Sequence, residues 1–236
     1  MRLTSFSQLP EVIKNLLIIN GLLYFATISL ESYGIHLNNL LGLHQFQSNN
    51  FMPHQLITHF FMHANFTHLF FNMFALWMFG KVLENVWGGK RFLIYYMLTA
   101  LGAATLHLIV SQYQILQLSI EYPALITLAK QGLYDPNNID SLKLTQLITT
   151  PTVGASGAVF GILLAFGMLF PNTLLYIYMI MPIKAKYFVI IYGILELYLG
   201  LNNNPADNVA HFAHLGGMVF GFLILKYWQK NNTQFY

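Results

Sequence analysis

The sequence predicts an all-α membrane protein, a bundle of six transmembrane helices whose fourth member is short and central. Composition is the first ground: apolar residues fill 56% of the 236 positions and charged residues only 8%. A soluble domain carries about 25% charged residues, so this chain lacks the side chains to cover itself in water. Its mean hydropathy of +0.54 agrees. The second ground is a set of apolar stretches at about 12–30, 66–86, 91–112, 156–170, 187–201 and 209–228. Most come close to the ~20 residues that span a bilayer as a helix. The third is where the few basic residues fall.

The stretch from Val12 to Leu30 is longer than the apolar core of a signal peptide and lacks a small-residue cleavage site. It is expected to remain as a first span. Between the first and second spans, residues 31–65 carry no lysine or arginine but contain His36, His44, His54, His59 and His63. Residues 113–150 mix polar and apolar patches around Pro123, Gly132 and Pro136, and some short helix plus a flexible part is expected there. The segment 173–181 is apolar but short, and Pro171 and Pro182 bracket it. An interfacial or re-entrant stretch fits it better than a seventh span. No internal repeat is evident, and residues 1–236 read as one membrane domain.

With the N-terminus inside, the inner segments hold nine basic residues: Arg2, Lys14, Lys81, Lys90, Arg91, Lys184, Lys186, Lys226 and Lys230. The outer segments hold two, Lys130 and Lys143. That asymmetry satisfies the positive-inside rule with an even number of spans. Both termini are expected to be cytoplasmic, in a bacterial plasma membrane. The absence of cysteine excludes disulfides, thiolate metal sites and a cysteine nucleophile, and no basic cluster suggests nucleic-acid binding.

Polar side chains within spans are costly in lipid and mark functional sites. Three clusters stand out: His59, His63, His68 and Asn72 leading into the second stretch; GASG at 154–157 opening the fourth; and AHFAHLGGMVFG at 210–221 in the sixth. In the predicted topology these three stretches all run from outside to inside. Each cluster therefore lies near the outer face, as the parts of one site would. Fifteen residues in the fourth stretch make roughly 22 Å of helix, short of the ~30 Å hydrocarbon core, so Ser156 is expected below the outer surface.

Gly157 with Gly161, and Gly217 with Gly221, are small-xxx-small pairs that let helices approach closely in lipid. His214 shares a face with Gly217 and Gly221 and is expected to point at the fourth helix, within hydrogen-bonding range of Ser156. Ser156 alone reads as a helix N-cap; opposed to His214 it reads as a nucleophile. The Ser156 backbone N–H, His68 and Asn72 are candidate donors to an oxyanion. No aspartate fits as a third member, so a dyad is expected. Glu84 and Glu196 read as structural or interfacial, His36, His44 and His54 as loop residues, and His107 as interfacial. His211 is expected one turn nearer the outer water than His214.

These motifs resemble the rhomboid family: HxxxHxxxxHxxxN as His59, His63, His68 and Asn72, GxSG as Gly154, Ser156 and Gly157, and AHxxGxxxG as Ala213, His214, Gly217 and Gly221. Glu84, twelve after Asn72, matches a glutamate found in many members. The resemblance implies an intramembrane serine endopeptidase with Ser156 as nucleophile, His214 as general base, and His68 and Asn72 in the oxyanion hole. His63 would support the water supply. Implied partners are the bilayer and single-span membrane proteins, cut near the outer end of their helix; no cofactor or metal is implied. The stretch Pro53, His54, Gln55 departs from the family's Trp-Arg pair in the first loop. Two other functions compete: a metalloenzyme using His59, His63 and His68, disfavoured by the lack of an HExxH motif, and a non-catalytic binding or transport protein.

Overall fold

The computed structural model describes residues 9–177, 180–202 and 209–231. Arg2, assigned above to the inner side, lies outside them, as do residues 178 and 179 of the 173–181 stretch. Helix α1 (Glu11–Glu31) follows Pro10, whose fixed φ suits a helix start. The first N–H groups of a helix have no partner within it. Here Val12 and Ile13 donate theirs to the two carboxylate oxygens of buried Glu84, at 2.9 and 2.8 Å. Glu84 thus satisfies two orphan donors and sits at the positive end of the α1 dipole.

Glu84 belongs to α2 (Phe66–Trp87), which Asn65 caps by accepting the His68 backbone N–H at 2.9 Å. One π-turn, Leu76–Gly80, widens its middle. Gly88, at φ +77°, then turns the chain into α3 (Gly89–Glu121). Only glycine takes that backbone conformation without strain.

Helix α3 does not stop near 112 as expected. It runs to Glu121, because no glycine or proline occurs between 112 and Pro123, which drives Tyr122 out of helical geometry. Two shorter helices, α4 (Leu125–Lys130) and α5 (Ile139–Thr149), fold back on this extension. Ile115 and Leu118 meet Ala129, Leu144 and Ile148 in a small apolar cluster. The short helix expected within 113–150 is present as these two helices, and the segment has a core of its own.

Helix α6 (Ser156–Leu169) is apolar all round, and eleven of its fourteen residues are buried. A helix of that kind belongs inside a bundle. It packs in the main core with Leu76 and Phe79 of α2, Phe92, Tyr95 and Tyr96 of α3, and Leu225 of the last helix. Strands β1 (Leu174–Ile177) and β2 (Met181–Lys184) then form an antiparallel ribbon, pairing Leu174 with Lys184. The 173–181 stretch, expected to be interfacial or re-entrant, thus contributes to a two-stranded ribbon within a mostly helical fold; Pro182 is tolerated because the ribbon has only edges. Helix α7 (Ala185–Asn202) exposes Ile190, Ile191, Ile194 and Leu197, a face suited to lipid. Helix α8 (His211–Asn231) closes the described chain.

Helices α1, α2, α3 and α7 are long and apolar enough to cross a membrane. Helix α6, at 14 residues, is a shorter apolar helix.

Close packing of α6 explains the glycines. A Cβ placed on Gly217 would collide with the Gly157 carbonyl, and one on Gly221 would lie 3.3 Å from the Gly161 Cα. The backbones of α8 and α6 are therefore in contact. The missing side chains of Gly157 and Gly161 point elsewhere, at Ala103 and Thr99 of α3. Helix α6 is held from two sides, whereas the sequence suggested a simple pairing of two glycine faces.

Filling such a contact costs about 1–3 kcal/mol, and for a chain of this size each kcal/mol lowers the unfolding midpoint by about 2–4 °C. Gly217→Val should lower the thermal midpoint in detergent by several degrees. Gly21→Ala on α1, which meets nothing within 4 Å, should not. Equal midpoints for Gly217→Val and the parent would contradict the backbone contact.

Candidate active site

Residues 150–153 run beside Leu43 before the chain turns at Gly154 into α6. Leu43 and Thr152 exchange backbone hydrogen bonds at 2.9 and 2.8 Å, and Gly154 donates its N–H to the His59 carbonyl at 3.0 Å. The segment 31–65 thereby holds the approach to Ser156. Gly154 has φ +127°, and a Cβ there would come within 2.7 Å of the His68 ring. Glycine is required twice over, for its backbone and for the space.

At the head of α6, Ser156 Oγ lies 2.8 Å from His214 Nε2. The close approach of α8 delivers His214, three residues before Gly217. The imidazole is stacked on Phe160, with ring centroids 4.2 Å apart and planes 7° from parallel. Phe160 stacks in turn on Tyr192 of α7 at 5.1 Å. The ring plane of His214 is therefore clamped by a residue one turn after the serine.

His68 and Asn72, four apart on α2, line the same cavity of about 1330 Å³ as Ser156 and His214. Asn72 Nδ2 donates to the His68 carbonyl at 2.9 Å; a carboxamide has a second N–H, which no other described residue takes up. The structure thus brings together Ser156, His214, His68 and Asn72 around one cavity.

Three residues make contacts that the sequence did not predict. Glu196, expected to be structural or interfacial, is buried with Oε2 at 2.9 Å from His214 Nδ1 and 2.7 Å from His211 Nδ1. His211, one turn before His214 on α8, is buried as well and lies beside that carboxylate. His107, expected at the interface, sits well inside the lengthened α3, lines the cavity and lies 2.8 Å from Thr152 Oγ1. A carboxylate inside the apolar 187–201 stretch was the available signal for Glu196. Nothing in its spacing from Ser156 or His214 points to it.

The histidines of the first loop do not converge as metal ligands. Among the described residues, the three-residue group whose donor atoms lie within 4.8 Å of one another is Glu196, His211 and His214. His59 is committed otherwise, its Nδ1 2.7 Å from the Gln55 carbonyl. His63 is fully buried, and neither ring nitrogen has a partner among the described residues.

Burial holds His59 down to about 4 and His63 down to about 3, from an ordinary value near 6.5. Both stay neutral when folded. Between pH 6.5 and 4 the unfolded chain binds protons that the folded chain refuses, so stability rises with pH in that window and falls as the solution is acidified. The thermal midpoint should therefore drop from pH 7 to pH 5, and His63→Gln should flatten that slope. Identical slopes for parent and variant would show that His63 is not held neutral by the fold.

The rhomboid domain family model matches residues 50–230. RHOMBOID-like protein 12 of Arabidopsis thaliana, a mitochondrial protein, is 31% identical over 73% of this chain and 48% of its own. Mitochondrial Rhomboid protein 1 of Saccharomyces cerevisiae is 29% identical over 69% of this chain and 38% of its own. Rhomboid protease AarA of Providencia stuartii is 28% identical over 69% and 51%. The chain spans about half or less of the length of these relatives. With its apolar helices and a match that covers most of its length, the chain is an integral membrane protein and belongs to the rhomboid family.

Proposed function

We propose that the chain is an intramembrane serine endopeptidase that cuts single-span membrane proteins near the outer end of their transmembrane helix. The 2.8 Å contact between Ser156 Oγ and His214 Nε2, on the wall of a large cavity, carries this proposal. Rhomboid proteases among the relatives support the class of activity.

In the proposed reaction His214 Nε2 takes the Ser156 proton as Oγ attacks the scissile carbonyl. The same proton then goes to the leaving amine. Water, deprotonated by His214, splits the acyl ester. The negative charge of each tetrahedral intermediate needs fixed donors. The Ser156 backbone N–H is one, since the first N–H groups of α6 have no helical acceptor. The second Asn72 Nδ2–H and the His68 ring, both on the cavity wall, are the others.

The proposed frame is one membrane domain, residues 1–236, in which α6 and α8 also cross the bilayer. That gives six spans, with α6 as the short central one. Both termini then lie on the cytoplasmic side of a bacterial plasma membrane, supported by nine basic residues against two. The relatives include mitochondrial and bacterial proteins, and the charge count speaks to orientation only. Neither cofactor nor metal takes part in the proposed chemistry.

Purified chain in detergent should cleave a transmembrane substrate in excess chelator, and Ser156→Ala should not. Asn72→Ala should lower turnover about a hundredfold or more with little change in KM, the cost of one oxyanion donor in a soluble protease. Loss of activity on chelation, restored by zinc, would overturn the serine mechanism; unchanged turnover would remove Asn72 from it.

A further inference from the structure

A histidine can accept a proton at Nε2 only if Nδ1 already carries one. For His214 to act as base toward Ser156, its neutral ring must be the Nδ1–H tautomer. Something must favour that tautomer over the other, and in a soluble triad a buried carboxylate does so. The partner of His214 Nδ1 here is Glu196 Oε2, 2.9 Å away. We propose that Glu196 is a positioning residue that makes the dyad a Ser156–His214–Glu196 triad, with His211 holding the carboxylate in place. This rests on the protease function proposed above.

Four observations carry it. Glu196 is only 5% exposed although it lies in an apolar helix. A carboxylate in that setting is costly unless paired, and so marks a function. Its contacts with His214 and His211, 2.9 and 2.7 Å, lie in the charge-assisted range. Both use the same oxygen, which has two lone pairs, and the two rings lie 6.4 Å apart between centroids with their planes at 87°, so neither displaces the other. Finally, the Phe160 stack fixes the plane of the His214 ring but still permits the 180° flip about Cβ–Cγ that keeps the plane and exchanges the ring's nitrogen and carbon edges. Ser156 at Nε2 and Glu196 at Nδ1 remove that freedom.

Glu196 acts twice along the reaction. Before proton transfer it accepts the Nδ1–H bond and selects the tautomer that leaves Nε2 open. After transfer the ring is an imidazolium, and the adjacent carboxylate stabilises the new positive charge in a site that water reaches poorly. The carboxylate keeps its charge throughout; the proton moves only between Ser156 Oγ, His214 Nε2 and the leaving nitrogen. His211 lies one turn before His214 on the same helix and donates its Nδ1–H to the other lone pair. With that donor removed, the carboxylate loses an anchor while His214 keeps its acceptor.

The convergence of Glu196, His211 and His214 within 4.8 Å is also what three ligands of a divalent ion would show. A metal at that point would displace the Nδ1 proton that catalysis needs. Two hydrogen bonds onto one oxygen already account for the geometry.

The test compares full-length parent, Ser156→Ala and Glu196→Gln in detergent, with kcat and KM for a transmembrane substrate and the thermal midpoint for each. Glutamine keeps the shape and an acceptor but no charge. Glu196→Gln should lower kcat about a hundredfold or more while KM stays within about twofold and the midpoint is kept. A soluble triad loses about 10⁴ on the equivalent change. A kcat within threefold of the parent would overturn the positioning role. If Glu196→Gln fails to fold, nitrogen NMR of histidine-labelled parent decides, with the His214 signal assigned by its loss in His214→Ala. Protonation at Nδ1 supports the proposal, and protonation at Nε2 overturns it. A parent that does not cleave at all, with Glu196 still bonded to His214 in the spectra, would instead fail the protease function.

Discussion

The seating of Gly217 on the Gly157 carbonyl is the constraint from which the site follows. Two helix backbones come into contact there, and no side chain larger than hydrogen fits between them. In lipid, where apolar burial gives helices little reason to associate, such contact surfaces supply the packing energy. Because Gly157 follows Ser156 directly and Gly217 follows His214 by three residues, a backbone contact becomes a side-chain distance of 2.8 Å. Tyr95 reinforces the same junction from α3 by donating its hydroxyl to the Gly161 carbonyl at 2.8 Å, beside Gly221.

The polar groups within the bundle are mostly tied to one another or to backbone, as a low-dielectric interior demands. Glu84 takes two N–H groups of α1. Thr99 returns its hydroxyl to the Tyr95 and Tyr96 carbonyls. Glu196 is shared by two histidines. These pairings fix how each helix sits relative to its neighbours, so the site depends on a scaffold that has few alternative arrangements. Exceptions are His63 and Tyr96, whose buried polar atoms have no partner among the described residues, and the large cavity, where His68, Asn72 and Ser156 leave hydrogen-bonding capacity for a substrate and water.

The helices that carry the site were legible because lipid imposes a plain rule of long apolar stretches and sparse charge. Ser156, His214, His68 and Asn72 were legible because each is polar where lipid penalises polarity. Glu196 carried the same signal, yet its partners lie 15 and 18 residues further along the chain, on a different helix, and no periodicity links the two. The end of α3 was misplaced because apolarity thins after 112 while helical propensity persists to Pro123. The β ribbon was hidden because Pro182 argues against a strand wherever the pairing partner is unknown. The contact of α6 with α3 escaped notice since Ala103 and Thr99 look like ordinary helix residues until Gly157 and Gly161 are laid against them.

The pairing of one serine with one histidine is tested most directly by mapping the adduct of a serine-reactive phosphonate by peptide mass spectrometry in the parent, His214→Ala and His211→Ala. The account predicts one modified residue, Ser156, in the parent, no adduct in His214→Ala, and a measurable adduct in His211→Ala. An adduct on another residue, or labelling that needs His211 and survives loss of His214, would contradict it.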